Sequence, residues 1–202
     1  MPTSSRVDLV AGYRYLRLDD SLRVVERSSL NPGGQFDITD RFDTQNTFNG
    51  FDFGMVLKHQ RGCWSFDVLS RIALGNTRSE VDIAGNTVIT PTGAAAQRFA
   101  GGILAQRTNI GHYQADEFAV VPELGLNVGY QLNPCWKLTA GYTWLYWSRV
   151  ARAGNQIDRD LNPDLIPEEV DPPASSHLRP EFHFVHDDFW AHGIRLGVEG
   201  CW

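Results

Sequence analysis

The chain has 202 residues, of which 42% are hydrophobic and 21% are charged, and it carries a net charge of −6 at pH 7. This acidic balance argues against nucleic acid as a partner, because nucleic-acid-binding proteins usually present a basic surface. No apolar run approaches the roughly 20 residues of a transmembrane helix, which excludes a helical membrane protein but not a membrane β-barrel.

Apolar residues alternate with small, polar or charged residues in six segments of the chain. A β-strand turns successive side chains to opposite faces, so this alternation predicts strands with one apolar face. Helical periodicity is hard to find anywhere, and we therefore predict an all-β protein. The predicted strands, in chain order, are residues 7–18, 51–58, 64–74, 118–132, 136–146 and 189–202.

The length of the strands and the position of their aromatic residues favour an antiparallel, up-and-down transmembrane β-barrel. Most of the strands exceed the usual length of about 5–6 residues and suit the 9–11 residues that cross a bilayer with tilt. Aromatic residues gather at strand ends, as in the girdles of outer-membrane barrels. One predicted girdle holds Trp64, Tyr130, Trp136 and Trp202, and the other holds Tyr146, Trp147 and Trp190. A soluble β-sandwich or β-barrel is the alternative.

The connections alternate between short and long, which is typical of bacterial outer-membrane barrels. Residues 59–63 and 133–135 are predicted as tight periplasmic turns. Long extracellular loops are predicted at 19–50, 75–117 and 148–188, and small strands at 22–27 and 36–42 would extend beyond the membrane.

Three cysteines, Cys63, Cys135 and Cys201, all fall at the predicted periplasmic rim. The periplasm is oxidising, so a disulfide between two of them is chemically permitted. The sequence does not define which pair comes within bonding distance.

Five long strings resemble the planctomycete family of β-barrel porins, and together they span nearly the whole chain. The resemblance implies an outer-membrane β-barrel and carries over no catalytic or binding residue. Family members are longer and begin with a signal peptide, which residues 1–16 lack. We therefore expect one barrel domain over 1–202, or the C-terminal half of one, as an incomplete barrel of about six strands. The strings are VDLVAGYRYLRLDDSLRV (7–24), DRFDTQNTFNGFDFG (40–54), WSFDVLSRIALGNT (64–77), LTAGYTWLYWSRVARAGNQIDRDLNP (138–163) and FWAHGIRLGVEGCW (189–202).

The last predicted strand is similar to the C-terminal signal that barrel-assembly machinery recognises, with alternating apolar residues and a final aromatic. This implies the assembly machinery and the outer-membrane bilayer as partners. An edge strand that happens to end the chain is the alternative. The residues that form the expected signal are Gly193, Ile194, Leu196, Val198 and Trp202.

Charged residues recur on the face opposite the apolar one and are predicted to face the lumen. In a wide barrel such charges line a water channel and set its ion selectivity. In a narrow barrel they pair across the lumen and plug it, because unpaired buried charge is costly. The predicted lumen-facing charges are Arg14, Asp52, Lys58, Asp67, Arg71, Glu123, Lys137, Arg195 and Glu199.

Known catalytic motifs are missing from the sequence: it has no nucleophile elbow, phosphate-binding loop or HExxH metal site. One polar cluster contains carboxylates beside histidines, which could activate a water molecule, although a solvated loop explains it as well. Its members are His177, Glu181, His183, His186, Asp187, Asp188 and His192.

These observations predict a porin-like passive channel for small polar solutes in a bacterial outer membrane, with no catalysis, metal or cofactor. A structural or adhesive surface barrel with a plugged lumen is the second interpretation. A surface hydrolase that uses the histidine and aspartate cluster is the third.

Overall fold

Antiparallel strands form one curled sheet in the computed structural model, which describes residues 3–29, 33–167 and 177–201. In sheet order the strands are β1, β2, β3, β5, β6 and β7, and the short β4 pairs with the far end of β3. The all-β prediction is confirmed. The strand bounds are β1 Thr3–Ser29, β2 Gly34–Arg61, β3 Trp64–Pro91, β4 Gln97–Ala100, β5 Gly111–Gln131, β6 Trp136–Ala151 and β7 His186–Gly200.

The sheet is an open half-barrel rather than a closed one. Among the described residues β1 pairs only with β2, and β7 pairs only with β6. Its inner face is concave: Arg14 on β1 reaches Glu123 on β5 at 2.5 Å, although two strands lie between them. Strands spaced about 4.8 Å apart in a flat sheet would separate β1 from β5 by about 14 Å. The expected incomplete barrel is therefore confirmed.

Two short 3₁₀ helices, Ala153–Gln156 and Pro163–Leu165, lie in the connection between β6 and β7. Within the described ranges, no helix has the length and apolarity to span a membrane.

The prediction of a loop over 19–50 is wrong, because β1 and β2 pair without a break from Thr3↔Arg61 to Ser29↔Gln35. The small strands expected at 22–27 and 36–42 are the outer ends of these two long strands.

The loop predicted over 75–117 is also too long, since β3 continues to Pro91 and β5 begins at Gly111. The loop predicted over 148–188 is closest to the structure: β6 ends at Ala151 and β7 begins at His186. The two tight turns are present, at Arg61–Trp64 and between Gln131 and Trp136. We call this end of the sheet the turn end and the opposite end the loop end.

The strands are longer than predicted because their two faces exchange character partway along. Near the turn end the outward residues are apolar and exposed, for example Leu9 at 84% and Ile194 at 78%. Tyr15, Asn49, Asn76 and Phe118 are successive ladder partners on β1, β2, β3 and β5 and mark one level across the sheet. On the loop-end side of this level the outward face is polar. There it carries Arg17, Gln45 and Arg78, while Phe42, Val81 and Ile83 are buried on the inner face.

Three of the four aromatic residues predicted for the turn-end girdle, Trp64, Tyr130 and Trp136, point outward together. The rings of Trp64 and Tyr130 lie 4.7 Å apart, and Trp136 is half-exposed. Trp202 lies outside the described residues. The assignment of Trp147 to the second girdle is wrong: it is 2% exposed and points inward, because it has the opposite strand parity to Trp144 and Tyr146.

A disulfide joins Cys135, in the turn between β5 and β6, to Cys201 at the end of β7. The backbone N–H of Cys201 also donates to the carbonyl of Cys135 at 3.0 Å. Cys63 is a free, exposed thiol in the neighbouring turn. The bond spans a sequence separation of 66 residues and therefore restricts a long loop in the unfolded chain.

Replacing both Cys135 and Cys201 by Ser is expected to lower the free energy of unfolding by about 2–4 kcal/mol, because the unfolded chain regains loop entropy. Guanidinium unfolding of the protein in lipid vesicles measures this loss. Cys63→Ser is the matched control and should leave the midpoint unchanged. Equal midpoints for the double variant and the wild type would contradict the prediction.

Candidate functional site

Four charged residues of alternating sign form a row across the inner face of four neighbouring strands. They are Arg14 on β1, Asp52 on β2, Arg71 on β3 and Glu123 on β5, and we call them the inner charge row. Arg14 Nη2 lies 3.0 Å from Asp52 Oδ2, and Arg71 Nη2 lies 3.0 Å from the same oxygen. Arg71 Nη1 is 4.0 Å from Glu123 Oε2. Two positive and two negative charges make the row neutral as a unit.

The strand register builds this row. Arg71 stands directly opposite Glu123 on one side and Gly54 on the other. A Cβ at Gly54 would lie only 2.7 Å from Cγ of Arg71, so glycine leaves the space in which the arginine side chain reaches Asp52. Arg14 is 8% and Asp52 2% exposed. Buried charges of this kind are tolerated only when they are paired.

The other predicted charges lie on the same face, nearer the turn end, and are more solvated. Lys58 Nζ is 3.9 Å from Asp8 and stands opposite Asp67 in the ladder. Arg195 donates to Asn127 at 3.3 Å.

Lys137 and Glu199 form an exposed pair at 3.4 Å. The nine charges therefore fall into a mutually paired row, in which Arg14 and Asp52 are buried and Arg71 and Glu123 are partly buried, and a solvated group closer to the turn end.

Toward the loop end, the inner face is covered by a segment that leaves β6. The pairing of β6 with β7 shifts between Trp147 and Val150, and Arg149 in the shift has a φ of 60°. Residues 147–156, which we call the strap, then cross the inner face toward β2 and β1. Trp147 Nε1 donates to Thr77 Oγ1 on β3 at 2.8 Å, and its ring packs edge-on against Phe48.

Asn46 on β2 holds the middle of the strap and is fully buried. Its Oδ1 accepts from the N–H of Ala151 at 2.7 Å, and its Nδ2 donates to the carbonyl of the same residue at 2.8 Å. Ser79 Oγ also donates to Asn46 Oδ1, at 2.7 Å. Ala151 pairs with His186 of β7 on one side, and the Asn46 amide takes the place of a strand partner on the other.

Asp20 on β1 holds the far end of the strap. Its Oδ2 accepts from Arg152 Nε at 3.0 Å and from the N–H of Ala153 at 3.2 Å. Burial acts to raise the pKa of the Asp20 carboxyl, but these two hydrogen bonds, with the positive charge of Arg152 and the N–H of Ser21, outweigh it and hold the pKa below its ordinary value.

A second segment, residues 101–110 before β5, covers the inner face beside the strap. The carboxylate of Asp40 on β2 accepts from three consecutive N–H groups, those of Ile103, Leu104 and Ala105. The strap and this segment enclose an apolar core on the inner face. Its buried residues are Phe42, Val81, Ile83, Ala105, Ala151 and Ala153.

Sequence reasoning missed these anchors because it treated their surroundings as loops. Asp20, Asp40 and Asn46 all lie within the loop predicted over 19–50. A signal was present: between residues 36 and 48 every second residue is apolar or uncharged except Asp40. The alternation continues there with its polarity reversed, and a search for apolar outward faces passes over it.

The histidine and aspartate cluster does not converge on one point. His183 lies near Glu181 at 3.9 Å, whereas Asp187 accepts from Asn155 at 2.7 Å. His192 packs on the outward ring of Trp190 at 5.3 Å.

Within 3–29, 33–167 and 177–201, no three His, Cys, Asp or Glu side chains gather in a metal-binding arrangement. The geometry therefore offers this cluster no common reaction centre.

The expected assembly signal lies on β7, at one edge of the sheet. Ile194, Leu196 and Val198 point outward and are 78%, 78% and 61% exposed. A Cβ at Gly193 would have open space around it. Trp202 lies outside the described residues.

A comparison with protein families gives one match that covers the whole chain: the family model described as "Putative beta barrel porin-7 (BBP7)" matches residues 1–202. Searches of the curated proteins and of the solved structures gave no match. The resemblance to a β-barrel porin family is thus confirmed, and an origin in planctomycetes stays a prediction.

Asp52→Asn is expected to lower the free energy of unfolding by about 3 kcal/mol or more, because it leaves the buried Arg14 and the partly buried Arg71 with Glu123 as their only carboxylate. Glu199→Gln is the matched control, since the exposed pair with Lys137 contributes about 1 kcal/mol or less. Chemical unfolding followed by tryptophan fluorescence compares the two variants. Losses of equal size would contradict the special position of Asp52.

Asp20→Asn is expected to cost about 1–2 kcal/mol at neutral pH, because charge-assisted hydrogen bonds to the strap are weakened. The folded pKa is lowered, so this contribution is full above the unfolded value of about 3.9 and fades as the pH falls through the folded value. Unfolding free energies of the variant and the wild type should therefore converge in acid. Asp19→Asn is the matched control and should cost about 1 kcal/mol or less at neutral pH, because Asp19 forms an exposed pair with Arg17. A pH-independent difference for Asp20→Asn would refute the assignment.

Proposed function

The chain belongs to the beta barrel porin-7 family, and we propose that it forms a passive channel for small polar solutes across a bacterial outer membrane. The observation that carries this proposal is the opposite polarity of the two faces in the turn-end half of the sheet. Exposed apolar residues such as Leu9 and Ile194 point outward, while Arg71, Glu123 and the other charges point inward. A water-filled barrel in lipid requires this arrangement.

The outward apolar band has the dimensions of a bilayer core. On β1 it runs from Val7 to Tyr15, both more than half exposed, which suits the 9–11 residues of a tilted membrane strand. Trp64, Tyr130 and Trp136 mark its lower border, where aromatic side chains favour the membrane interface.

The disulfide supports an orientation for the channel. Disulfides persist in oxidising compartments such as the periplasm, and Cys135–Cys201 lies at the turn end. Short turns in the periplasm and long loops outside the cell are also the usual arrangement of bacterial barrels. The strap and the long β1–β2 hairpin would then lie at the extracellular side.

The inner face suggests how solutes would pass. The solvated charges Lys58, Asp67 and Arg195 would line a wide periplasmic vestibule. The strap and residues 101–110 would narrow the extracellular half of the lumen. Because the inner charge row is neutral, we expect weak preference between anions and cations. Solutes would move down their gradients without a catalytic step.

The second candidate is a structural or adhesive surface barrel whose lumen is plugged. A second apolar cluster on the inner face favours it, because Trp147 and Val150 of the strap are buried there against Phe48 and Val121. In that case the outer ends of β1 and β2 would be the contact surface for other cells or envelope layers.

We also propose that the barrel-assembly machinery recognises β7. Its outer edge has no partner strand among the described residues, and Ile194, Leu196 and Val198 are exposed on one side of it.

Single-channel recording in planar lipid bilayers tests the function directly, with protein purified from membranes. We expect the wild type to conduct. The double variant Asn46→Ala/Asp20→Ala should have a conductance at least about twofold larger, because both anchors of the strap are then lost. Asn49→Ala, on the outward face of β2, is the matched control and should conduct like the wild type. A wild type that stays closed would support the plugged barrel and overturn the channel.

A further inference from the structure

The outward face of the loop-end half carries a basic cleft that the channel does not use. It lies across β1, β2 and β3, and has a volume of about 440 Å³. Arg23 is eight positions past Tyr15 on β1, which is about 26 Å along the strand from the upper border of the apolar band. The side chains that line the cleft are Ser21, Arg23, Thr39, Arg41, Ala84 and Asn86.

Two arginines face each other across this cleft. Arg23 on β1 is the direct ladder partner of Arg41 on β2, and both side chains point outward. Like charges directly opposite each other in a sheet repel and are destabilising. Arg41 has an acidic neighbour, Asp43 at 2.5 Å, whereas Arg23 has no ion pair with any residue that the structure describes. A negative charge between the two guanidinium groups would relieve this repulsion.

Two other arginines of the same face, Arg17 and Arg78, have an acidic neighbour as Arg41 does, but each also donates to a glutamine on the next strand. Arg17 lies 2.9 Å from Asp19 and 2.7 Å from Gln45. Arg78 in the same way lies 3.0 Å from Glu80 and 2.7 Å from Gln114. Their donors are engaged within the sheet.

We infer that this cleft binds an oxyanion, namely a phosphate, sulfate or carboxylate group that is either free or carried by a surface polysaccharide. Guanidinium groups are suited to such groups because their N–H donors match two oxygens at once. No carboxylate lines the cleft, Thr39 and Asn86 add polar side chains, and the small Ala84 on β3 leaves space in its floor. The acidic cleft below it, around Asp43 and Asp82, limits the anion to the upper position.

Binding of dextran sulfate to the detergent-solubilised protein at fixed ionic strength tests the site, with uncharged dextran as the blank. We expect Arg23→Gln/Arg41→Gln to bind at least about tenfold more weakly, since two charge-assisted contacts are lost. Arg17→Gln/Arg78→Gln is the matched control: it removes the same charge from the same face and should bind like the wild type. Equal weakening of both double variants, or no binding by the wild type, would overturn the inference.

Inorganic sulfate distinguishes the two sources of the anion. It should displace dextran sulfate at a concentration at which chloride of the same ionic strength does not. If sulfate binds as tightly per charged group as the polymer does, the ligand of the cleft is a free anion. If the polymer binds much more tightly than sulfate, the ligand of the cleft is a polysaccharide. Displacement by chloride and sulfate alike would reduce the effect to charge screening and refute the site.

Discussion

The continuous antiparallel pairing of β1, β2 and β3 fixes where every other part of the molecule lies. The ladder runs unbroken from Thr3↔Arg61 on one side of β2 to Gly34↔Pro91 on the other. Because side chains alternate between faces, a slip of one residue would turn the apolar band inward and Asp52 outward. Register is therefore the condition for the inner charge row and for the anchors of the strap.

The same register gives the inner face two different environments. In the turn-end half, charged residues pair with one another within the wall or meet solvent. In the loop-end half, Asp20, Asp40 and Asn46 stand on the inner face and bind backbone groups of the strap and of residues 101–110. Such buried polar groups need partners, and the partners come from the wall. The strap and residues 101–110 are consequently attached to the sheet by polar contacts, with apolar packing between these contacts.

How far the sequence predicts this structure depends on where each residue lies. The strands could be recognised in the apolar band, where Leu9, Phe53 and Leu196 repeat with period 2. Above it the period persists but the polarity reverses, so the sequence pattern predicts loops where β1 and β2 continue. Strand parity alone predicts that the nine charges lie on the inner face. It does not predict their pairing, because Arg14 meets Glu123 only after four strands have curled together. The contact of Asn46 with Ala151, across 105 positions, leaves no local trace at all.

The level at which the faces exchange character has a consequence for immersion depth. In a membrane, Tyr15 and Phe118 would mark the upper limit of the hydrocarbon, and Arg17 and Arg78 stand one outward position above it. Sinking the barrel by one such position would carry both arginines toward lipid, and an arginine at the midplane of a barrel costs about 2–4 kcal/mol. Rising would expose the apolar band to water. The boundary between the apolar and polar halves of the outward face therefore fixes how deep the barrel sits in the membrane. A bilayer whose hydrocarbon thickness does not match the apolar band would have to deform around the barrel.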